Sequence, residues 1–335
     1  NRENYLMRAL IFIILIIPII PLHILGLIIF TWRIRRVIIP QNISGTAAEP
    51  YGARLLMHIA GTRIDNTAYK IAEHMILYTP PVNFLMLQTT WLALKISGYK
   101  GYIFGYPGQR PSTLMTMMSH RSDFFDRSIN EALTRTENPI EQLVILGAGW
   151  DTRCYDLPKE LSLNCFEVDM APTLNAKKQA VEKAEIPHDH VTFVETDFNQ
   201  ETWMDTLLTS GFDPNKTTYI LWEGVTMYLT DEAVNSTLAL FSTLPQGSVI
   251  SIDFFTEDMV KGNPPHETWS KRAHAAIKYY SEKIMFGIPT GESLSEGTEQ
   301  LASKYGLILS KFENIGDKDH QKKIPWYVFT EFTKI

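Results

Sequence analysis

The stretch Gln142–Asp156, QLVILGAGWDTRCYD, constrains the fold more than any other part of the sequence. Leu143–Leu146 is a short apolar run that leads directly into Gly147-Ala148-Gly149, which is typical of a buried parallel strand ending in a tight turn. One glycine allows the backbone to turn sharply, and the other allows a ligand to approach closely. We expect a helix to begin near Asp151-Thr152, with its free amide groups facing that ligand.

A second strand at Asn164–Val168 ends at Asp169, about 20 residues after the glycines. Nucleotide-binding folds place there the acidic residue that binds the ribose hydroxyls. The glycine turn, the second strand and Asp169 occur at the spacing typical of such folds. Together they predict a ligand that contains adenosine. A nicotinamide cofactor is disfavoured, because Thr152 occupies the position of the third glycine in its binding turn.

The rest of the chain continues the alternation of strands and helices. Three more apolar runs predict buried strands at 191–194, 219–221 and 248–254, and two strand-like runs follow at 307–312 and 326–332. The sequence therefore predicts an α/β fold with a Rossmann-like sheet of seven strands, mostly parallel, closed by an antiparallel edge hairpin.

Four segments resemble, in order, the motifs of the leucine carboxyl methyltransferase family of class I S-adenosylmethionine-dependent methyltransferases. They are LGAGWDTRCYDL, FEVDMAP, VETDF and LWEGVTMYL, and the resemblance extends from about Ser119 to the C-terminus. It implies S-adenosyl-L-methionine as the cofactor and no metal site. The residues that it implies for cofactor binding are Gly147, Ala148, Gly149, Asp151, Asp169, Asp197, Phe198 and Glu223.

The resemblance also implies roles for individual side chains. Arg127 matches an arginine that contacts the methionine carboxylate of the cofactor, with Arg121 as the weaker candidate for this task, and a guanidinium can bind a carboxylate with two parallel hydrogen bonds. Glu223 is implied near the methionine amino group or the transferred methyl, and Tyr228 in the acceptor pocket, as the two catalytic candidates. The structural alternatives are a surface salt bridge for Arg127, a helix cap for Asp197, a buried structural role for Glu223 and aromatic core packing for Tyr228.

Residues 9–32 contain no charged residue and consist mainly of Ile and Leu. This segment is long enough to cross the core of a bilayer, which requires about 20 apolar residues. Three other interpretations compete: a cleaved signal peptide, whose apolar core is shorter at about 7–15 residues, a buried core helix, which would be unusual at a terminus when apolar on every side, and an interfacial helix. We expect a single-pass membrane anchor in contact with the lipid bilayer, although Pro18, Pro21 and His23 interrupt the run and could give a kink or a shallow re-entrant path. The arginines at 33–36 place the following domain on the cytosolic or organelle-matrix side.

The sequence predicts three parts: an anchor at residues 1–40, a helical extension at 41–118 and the methyltransferase domain at 119–335, with a lid insertion at about 256–297. Within the extension we expect one helix over Tyr51–Leu77 and a loop at Gly98–Pro111. The apolar stretch Leu77–Ile96 between them could lie against the membrane, roof a substrate tunnel or simply pack inside the protein. The net charge of −6 argues against a nucleic-acid surface, and two cysteines cannot build a disulfide scaffold.

Methyl transfer from a sulfonium requires mainly that donor and acceptor are held close and aligned without water. The family resemblance allows a protein carboxylate or a small acceptor. The apolar N-terminus favours a small lipophilic molecule with a carboxyl or hydroxyl group. An alternative is a methyltransferase-like accessory subunit that binds other subunits of a membrane complex.

Overall fold

In a computed structural model of the protein, the described residues are 2–101, 106, 116–158, 160–198, 203–290, 293–315 and 326–335. The chain divides into two compact units. The first unit contains Asn1–His120, Gly149–Asp156 and Asn175–His188, and the second contains Arg121–Ala148, Leu157–Leu174 and Asp189–Ile335.

The second unit is built on a seven-stranded sheet in the order β3-β2-β1-β4-β5-β7-β6. Strands β1 to β5 are parallel, and β7 is antiparallel to both β5 and β6, so the predicted sheet with its edge hairpin is confirmed. The strands are β1 (Gln142–Leu146), β2 (Asn164–Asp169), β3 (Val191–Glu195), β4 (Thr218–Trp222), β5 (Val249–Phe255), β6 (Leu307–Ile315) and β7 (Tyr327–Lys334).

The central strands are buried on both faces. Every residue of β1 and β4 is buried, which explains why these segments read as continuous apolar runs rather than as alternating ones. The main apolar core includes Val144, Phe166, Ile220, Trp222 and Ile250 on four neighbouring strands. Because β1 to β5 are parallel, the residues that follow these strands meet at one edge of the sheet.

The helices of the chain were predicted with mixed success. From Met117 onward the described residues contain seven α-helices, α7 to α13, and three of them, α11 to α13, lie between β5 and β6. The role of residues 256–297 as a lid stays a prediction, and residues 291 and 292 lie outside the described part. The full set is α7 (Met117–Thr134), α8 (Ala171–Lys183), α9 (Trp203–Thr209), α10 (Asp231–Phe241), α11 (Glu257–Lys261), α12 (Glu267–Tyr279) and α13 (Leu294–Lys304).

The first unit begins with a nearly continuous helical stretch. Helix α1 (Arg2–Ile16) passes through a 3-10 turn at Ile17–Ile19 into α2 (Ile20–Arg33), and helical turns continue to Gln41. Pro18 and Pro21 lie in the first turns after the junction, where a missing amide donor costs little, so they do not break the stretch. Among the described residues, Glu3–Gln41 is the one helix long and apolar enough to cross a membrane, and most of it is exposed.

The rest of the first unit is also helical. The helix predicted over Tyr51–Leu77 is wrong as one element: Gly61, with φ of +66°, follows the end of the first helix, and the side chain of Asp65 caps the second by accepting from the Ala68 amide. The predicted loop at 98–111 lies mostly outside the described residues. The helices are α3 (Ala48–Ile59), α4 (Asn66–Ala72), α5 (Pro80–Val82) and α6 (Thr89–Ser97), with a π-helical turn joining the last two.

Candidate functional site

Acidic side chains follow three strands of the sheet in the second unit: the adjacent pair β2 and β3, and β4 on the other side of β1. Asp169 is the last residue of β2, Asp197 lies two residues after β3, and Glu223 comes directly after β4. The carbonyl oxygen of Asp169 accepts a hydrogen bond of 3.0 Å from the Thr196 amide, which holds the ends of β2 and β3 together. Open parallel sheets bind ligands outside the carboxyl ends of their strands. The structure places these three predicted residues at that end of the sheet.

The turn after β1 needs glycine for reasons of the protein's own packing. Gly147 has φ of +69°, and a Cβ there would lie 2.3 Å from Cγ2 of Val225. Its amide and that of Ala148 donate to the carbonyl oxygen of Val168 at 2.8 and 3.0 Å. These two amides are therefore bonded to β2, and Gly147 is required by the sharp turn and by its contact with Val225.

Asp151 belongs to the first unit, where it is part of a buried ion-pair cluster. It binds the guanidinium of Arg54 at 2.7 Å and that of Arg153 at 2.5 Å, and its Oδ1 accepts from the Arg153 amide at 2.8 Å. Burial alone would raise the pKa of Asp151, but the two arginines hold it well below its usual range.

This cluster explains why no helix begins near Asp151-Thr152, and that prediction was wrong. The hydroxyl of Thr152 donates to Asp65 at 2.8 Å, and the chain forms only a 3-10 turn at Arg153–Tyr155. The side chains that would cap a helix are bound to other partners. The role of Asp151 in cofactor binding stays a prediction.

Glu223 lies in a second buried cluster of charged groups. Nε of Arg121 donates to Glu223 Oε1 at 2.7 Å and lies 3.8 Å from Oδ2 of Asp253. The hydroxyl of Tyr327 accepts from Arg121 at 3.1 Å and donates to Asp253 at 2.6 Å. Gly224 has φ of +74°, and a Cβ there would lie 2.9 Å from the Arg121 guanidinium, so this position favours glycine.

The cluster holds two carboxylates against one guanidinium. Burial raises the pKa of Asp253 to about 6, and the neighbouring Glu223 adds to this, although Arg121 and Tyr327 oppose it. Burial alone would lower the pKa of Arg121, but Tyr327, Glu223 and Asp253 together raise it, so Arg121 is always charged. When Asp253 is ionised, the cluster has a net charge of −1, which favours a cationic ligand beside Glu223.

Arg127 occupies a different environment, although it lies on the same helix, α7, as Arg121. Its guanidinium is 42% exposed, binds Glu313 at 2.7 Å and lies 3.6 Å from Asp123 one helical turn away. This is the surface salt bridge that was the alternative for Arg127. Its contact with a cofactor carboxylate stays a prediction, whereas Arg121 is the arginine that the fold buries beside Glu223.

The residues after β3 offer polar groups to a ligand. Thr196 is 4% exposed, and its hydroxyl oxygen has no hydrogen-bond partner among the described residues. Asp197 and Phe198 are both half-buried, and Phe198 packs against the edge of the apolar core. A buried hydroxyl without a partner is costly, so a bound polar group would stabilise this position.

The insertion after β5 places aromatic and polar side chains near the second cluster. Trp269 of α12 contacts Trp326 edge-on at 5.7 Å, and Trp326 stacks on Tyr327 at 5.5 Å. His266 is 6% exposed, and neither its Nε2 nor Nε1 of Trp269 has a hydrogen-bond partner among the described residues. Burial lowers the pKa of His266, which keeps its imidazole neutral near pH 7.

Sequence reasoning missed part of this arrangement. Asp253 had a visible signal, since it is an acid inside the apolar run of β5, whereas Tyr327 had none. Tyr228 lies in a 3-10 turn at Thr226–Tyr228 and is half-buried, and its place in an acceptor pocket stays a prediction.

Part of the chain is similar to a known protein family. Residues 105–242 match the family model described as leucine carboxyl methyltransferase. A Bacillus subtilis protein named among the S-adenosyl-L-methionine-dependent methyltransferases is 41% identical over 122 residues, which cover 36% of this chain and 40% of that protein. A Parafrankia protein with the same designation is 35% identical over 130 residues, covering 37% of this chain and 41% of that protein. The chain thus spans about two fifths of the length of these relatives.

Among solved structures, a DUF574 family protein from Streptomyces avermitilis has a TM-score of 0.50 at 14% identity. The similarity covers 89% of this chain and 100% of that one. At this identity it supports the fold, and it agrees with the Rossmann-like sheet described above.

Proposed function

We propose that this chain, of which residues 105–242 match the leucine carboxyl methyltransferase family model, is an S-adenosyl-L-methionine-dependent methyltransferase that methylates an oxygen atom of a small lipophilic acceptor at a membrane. The observation that carries this proposal is the row of Asp169, Asp197 and Glu223 at the ends of three strands of one sheet. The family match covers the part of the chain that holds these three residues.

The cofactor fits the groups at this edge. Asp169 would accept hydrogen bonds from the ribose hydroxyls, and Asp197 from the exocyclic amine of adenine, with Phe198 against the ring. The unpartnered hydroxyl of Thr196 is a further polar group for the base. When bound, S-adenosyl-L-methionine supplies a methyl group that is already activated by a positive sulfonium.

Glu223 would bind the ammonium group of the cofactor's methionine, because the cluster around it carries excess negative charge. Arg121 acts through Glu223 by holding its carboxylate at 2.7 Å, so we regard Arg121 as a positioning residue. The rigid cluster keeps Glu223 oriented without a reorganisation step, which is what alignment of donor and acceptor requires.

The lid insertion supports an acceptor site with aromatic walls. Trp269, Trp326 and Tyr327 form a continuous series of ring contacts that ends at the hydrogen bond from Tyr327 to Asp253. A carboxylate acceptor needs no base, whereas a hydroxyl must lose its proton. The neutral imidazole of His266, whose Nε2 has no hydrogen-bond partner among the described residues, suits that second task.

The N-terminal helix supports delivery of the acceptor from lipid. Its stretch from Glu3 to Gln41 is apolar and mostly exposed, which is costly in water and favourable in a bilayer. A lipophilic acceptor dissolved in the same membrane would reach the enzyme without crossing water.

The first test is calorimetric titration of S-adenosyl-L-methionine into detergent-solubilised protein. We expect Asp169→Asn and Glu223→Gln each to weaken binding at least about tenfold, because each removes a charged hydrogen-bond acceptor. Asp189→Asn is the matched control, since Asp189 is exposed on the turn before β3, and it should bind like the wild type.

The second test identifies the acceptor group. Membrane lipids are incubated with enzyme and methyl-labelled cofactor, and the labelled product is treated with mild base. Label released as methanol indicates a methyl ester, and label that resists base indicates a methyl ether. Loss of the ether product in His266→Gln, with any ester product unchanged, would assign His266 as the base.

Binding of the cofactor without any labelled product, together with stable co-purification of other membrane proteins, would favour the accessory-subunit alternative. No binding by well-folded protein would overturn the enzyme proposal. Methylation of a soluble peptide carboxylate alone would overturn the lipophilic acceptor but keep the activity.

A further inference from the structure

The long N-terminal helix does not stand alone in the first unit. The segment Pro80–Ser97 runs antiparallel to it, so that Phe12 stacks on Tyr99 at 5.2 Å while His23 lies 3.1 Å from the hydroxyl of Thr90. At Gly26 the two backbones approach so closely that a Cβ would lie 2.6 Å from Cγ of Met86. We call residues 2–41 and 80–97 together the apolar hairpin.

Helix α3 lies beside both ends of the apolar hairpin. Near its start, Tyr51 contacts Tyr78 at 5.7 Å, and Tyr78 contacts Phe30 at 5.6 Å. Ile59 and Ala60 at its other end share an apolar cluster whose further members are Phe12, Leu56, Leu94 and Tyr99. The hairpin is therefore attached lengthwise to the folded first unit rather than projecting from it.

The same helix connects the hairpin to charged groups. Arg54 of α3 is 4% exposed and pairs with Asp151 at 2.7 Å, and the turn that holds Asp151 belongs to the same unit. If the hairpin crossed a bilayer, α3 would enter the hydrocarbon core as well, and with it the exposed carboxylate of Glu49 near its start, whereas the Arg54–Asp151 pair is already shielded from water. Moving charged groups out of water in this way is strongly unfavourable.

The face of the hairpin that points away from α3 is apolar over its whole length. On the N-terminal helix, one row of side chains is more than half exposed and follows helical spacing: Leu10, Ile14, Ile17, Ile24 and Ile28. The antiparallel segment adds Phe84, Trp91, Leu92 and Ile96, of which Phe84 is 60% exposed. Three of its uncharged polar side chains have partners inside the unit, since Thr89 and Thr90 bond His23, and Gln88 bonds Tyr69.

The charges of the hairpin suit an anionic lipid surface. The two segments and the residues up to 100 carry one acid, Glu3, against seven cations, although the whole chain has a net charge of −6. Lys95 lies 4.6 Å above the ring of Trp91, so a charged group and an aromatic ring sit together as they do at membrane interfaces. The seven cations are Arg2, Arg8, Arg33, Arg35, Arg36, Lys95 and Lys100.

We propose that the apolar hairpin lies in the plane of one leaflet of an anionic membrane, with the Leu10–Ile28 row and Pro80–Ser97 both in contact with acyl chains, instead of crossing the bilayer. This inference rests on the membrane association included in the proposed function. In-plane helices of this kind bury their apolar face about 5–10 Å into the boundary between headgroups and acyl chains. The chain then leaves the membrane on the side that it entered.

The test uses the full chain in vesicles of phosphatidylcholine with about 30% phosphatidylserine. Single-cysteine variants at Leu10, Ile17 and Ile28 carry an environment-sensitive fluorophore, and lipids with nitroxides at shallow or deep positions quench it. An in-plane hairpin gives the same strong shallow quenching at all three sites. A crossing helix makes Ile17 much deeper than the other two.

Sidedness gives a second measurement on the same vesicles. Asn4→Cys and Asn215→Cys place thiols on exposed residues near the N-terminus and in the second unit, while native Cys154 and Cys165 are buried. With protein added to sealed vesicles, an impermeant maleimide labels both introduced thiols if the hairpin lies in plane. It labels Asn215→Cys but not Asn4→Cys if the helix crosses.

Substitutions test the role of the second segment. Ile17→Asp and Leu92→Asp should each lower vesicle binding at least about tenfold, because each puts a charge among acyl chains. Leu208→Asp is the matched control, since Leu208 is 42% exposed on α9 of the second unit and should bind normally.

The outcomes separate the two proposals. A deep Ile17 or a protected Asn4→Cys overturns the in-plane arrangement and keeps membrane association, and unchanged binding of Leu92→Asp overturns the part assigned to Pro80–Ser97. Failure of the wild type to bind any vesicle overturns both membrane claims, while the cofactor titration still decides the enzyme proposal independently.

Discussion

The buried carboxyl of Asp253 makes a specific prediction about stability and pH. It is 0% exposed, its Oδ1 accepts from the Gly224 amide at 2.7 Å, and its Oδ2 accepts from Tyr327 at 2.6 Å. Asparagine has the shape of the protonated acid, so Asp253→Asn removes the charge and retains an oxygen for the Gly224 amide. The variant therefore isolates the free-energy cost of keeping Asp253 ionised inside the protein.

The magnitude follows from the raised pKa. Burial raises the pKa of Asp253 from its ordinary value of 3.8 to about 6, and each pKa unit corresponds to about 1.4 kcal/mol. The folded protein therefore prefers the protonated acid, and ionisation of Asp253 costs roughly 3 kcal/mol of stability. The protonated form of Asp253 therefore contributes stability that is fully present below about pH 4. This stability is lost as the pH rises through about 6, and it stays lost above that.

We therefore expect Asp253→Asn to be more stable than the wild type at about pH 8 by up to roughly 3 kcal/mol, with the advantage disappearing towards about pH 4. Urea unfolding of detergent-solubilised protein, followed by tryptophan fluorescence across this range, measures the difference. Subtracting the two curves removes the titration of all other groups. Asp189→Asn, on an exposed residue, serves as the control and should change the free energy of unfolding by less than about 0.5 kcal/mol.

A wild type that is more stable than Asp253→Asn at about pH 8 would refute this reasoning. That result would mean that the attraction between Asp253 and Arg121 exceeds the cost of burying the carboxylate. A difference that does not change with pH would show instead that Asp253 is ionised throughout the range.

The remaining predictions concern single contacts. Gly147→Ala should lower the free energy of unfolding by about 2 kcal/mol more than Gly211→Ala, because both have positive φ but only the first meets a neighbouring side chain, and thermal unfolding measures this. Arg54→Met should cost about 3–5 kcal/mol in urea unfolding, since it leaves a buried carboxylate with one arginine fewer, whereas Lys261→Met in an exposed pair should cost less than about 1 kcal/mol. Arg127→Met tests the predicted cofactor contact: weaker binding of S-adenosyl-L-methionine by at least about tenfold supports it, and unchanged affinity assigns Arg127 to its surface salt bridge.

The strands and the acidic edge could be predicted because their signals are local. β1 and β2 appear as short apolar runs, and Asp169, Asp197 and Glu223 follow their strands directly in the sequence. Parallel pairing then brings them to one edge without any further information. For the same reason the family motifs could be recognised in order.

Helix boundaries and the choice of arginine could not be predicted, because they depend on distant partners. The segment after Gly149 fails to form a helix since Arg54 and Asp65, which are about 90 residues away in sequence, bind Asp151 and Thr152. Arg121 and Arg127 lie on one helix and read alike in the sequence. Their environments differ only because β4, β5 and β7 surround the first.

By itself, the sequence determined the resemblance to a methyltransferase family, the seven-stranded sheet, the acidic edge and the presence of a long apolar N-terminal segment. These properties depend on residue order and on the spacing of apolar residues, and both can be read from the sequence without knowledge of contacts. Only the tertiary structure decided that Arg121, Asp253 and Tyr327 form one buried cluster with Glu223. It also decided that Pro80–Ser97 pairs with the N-terminal helix, because Thr89 and Thr90 bond His23 of that helix, while the large apolar side chains of Phe84, Trp91, Leu92 and Ile96 stay exposed.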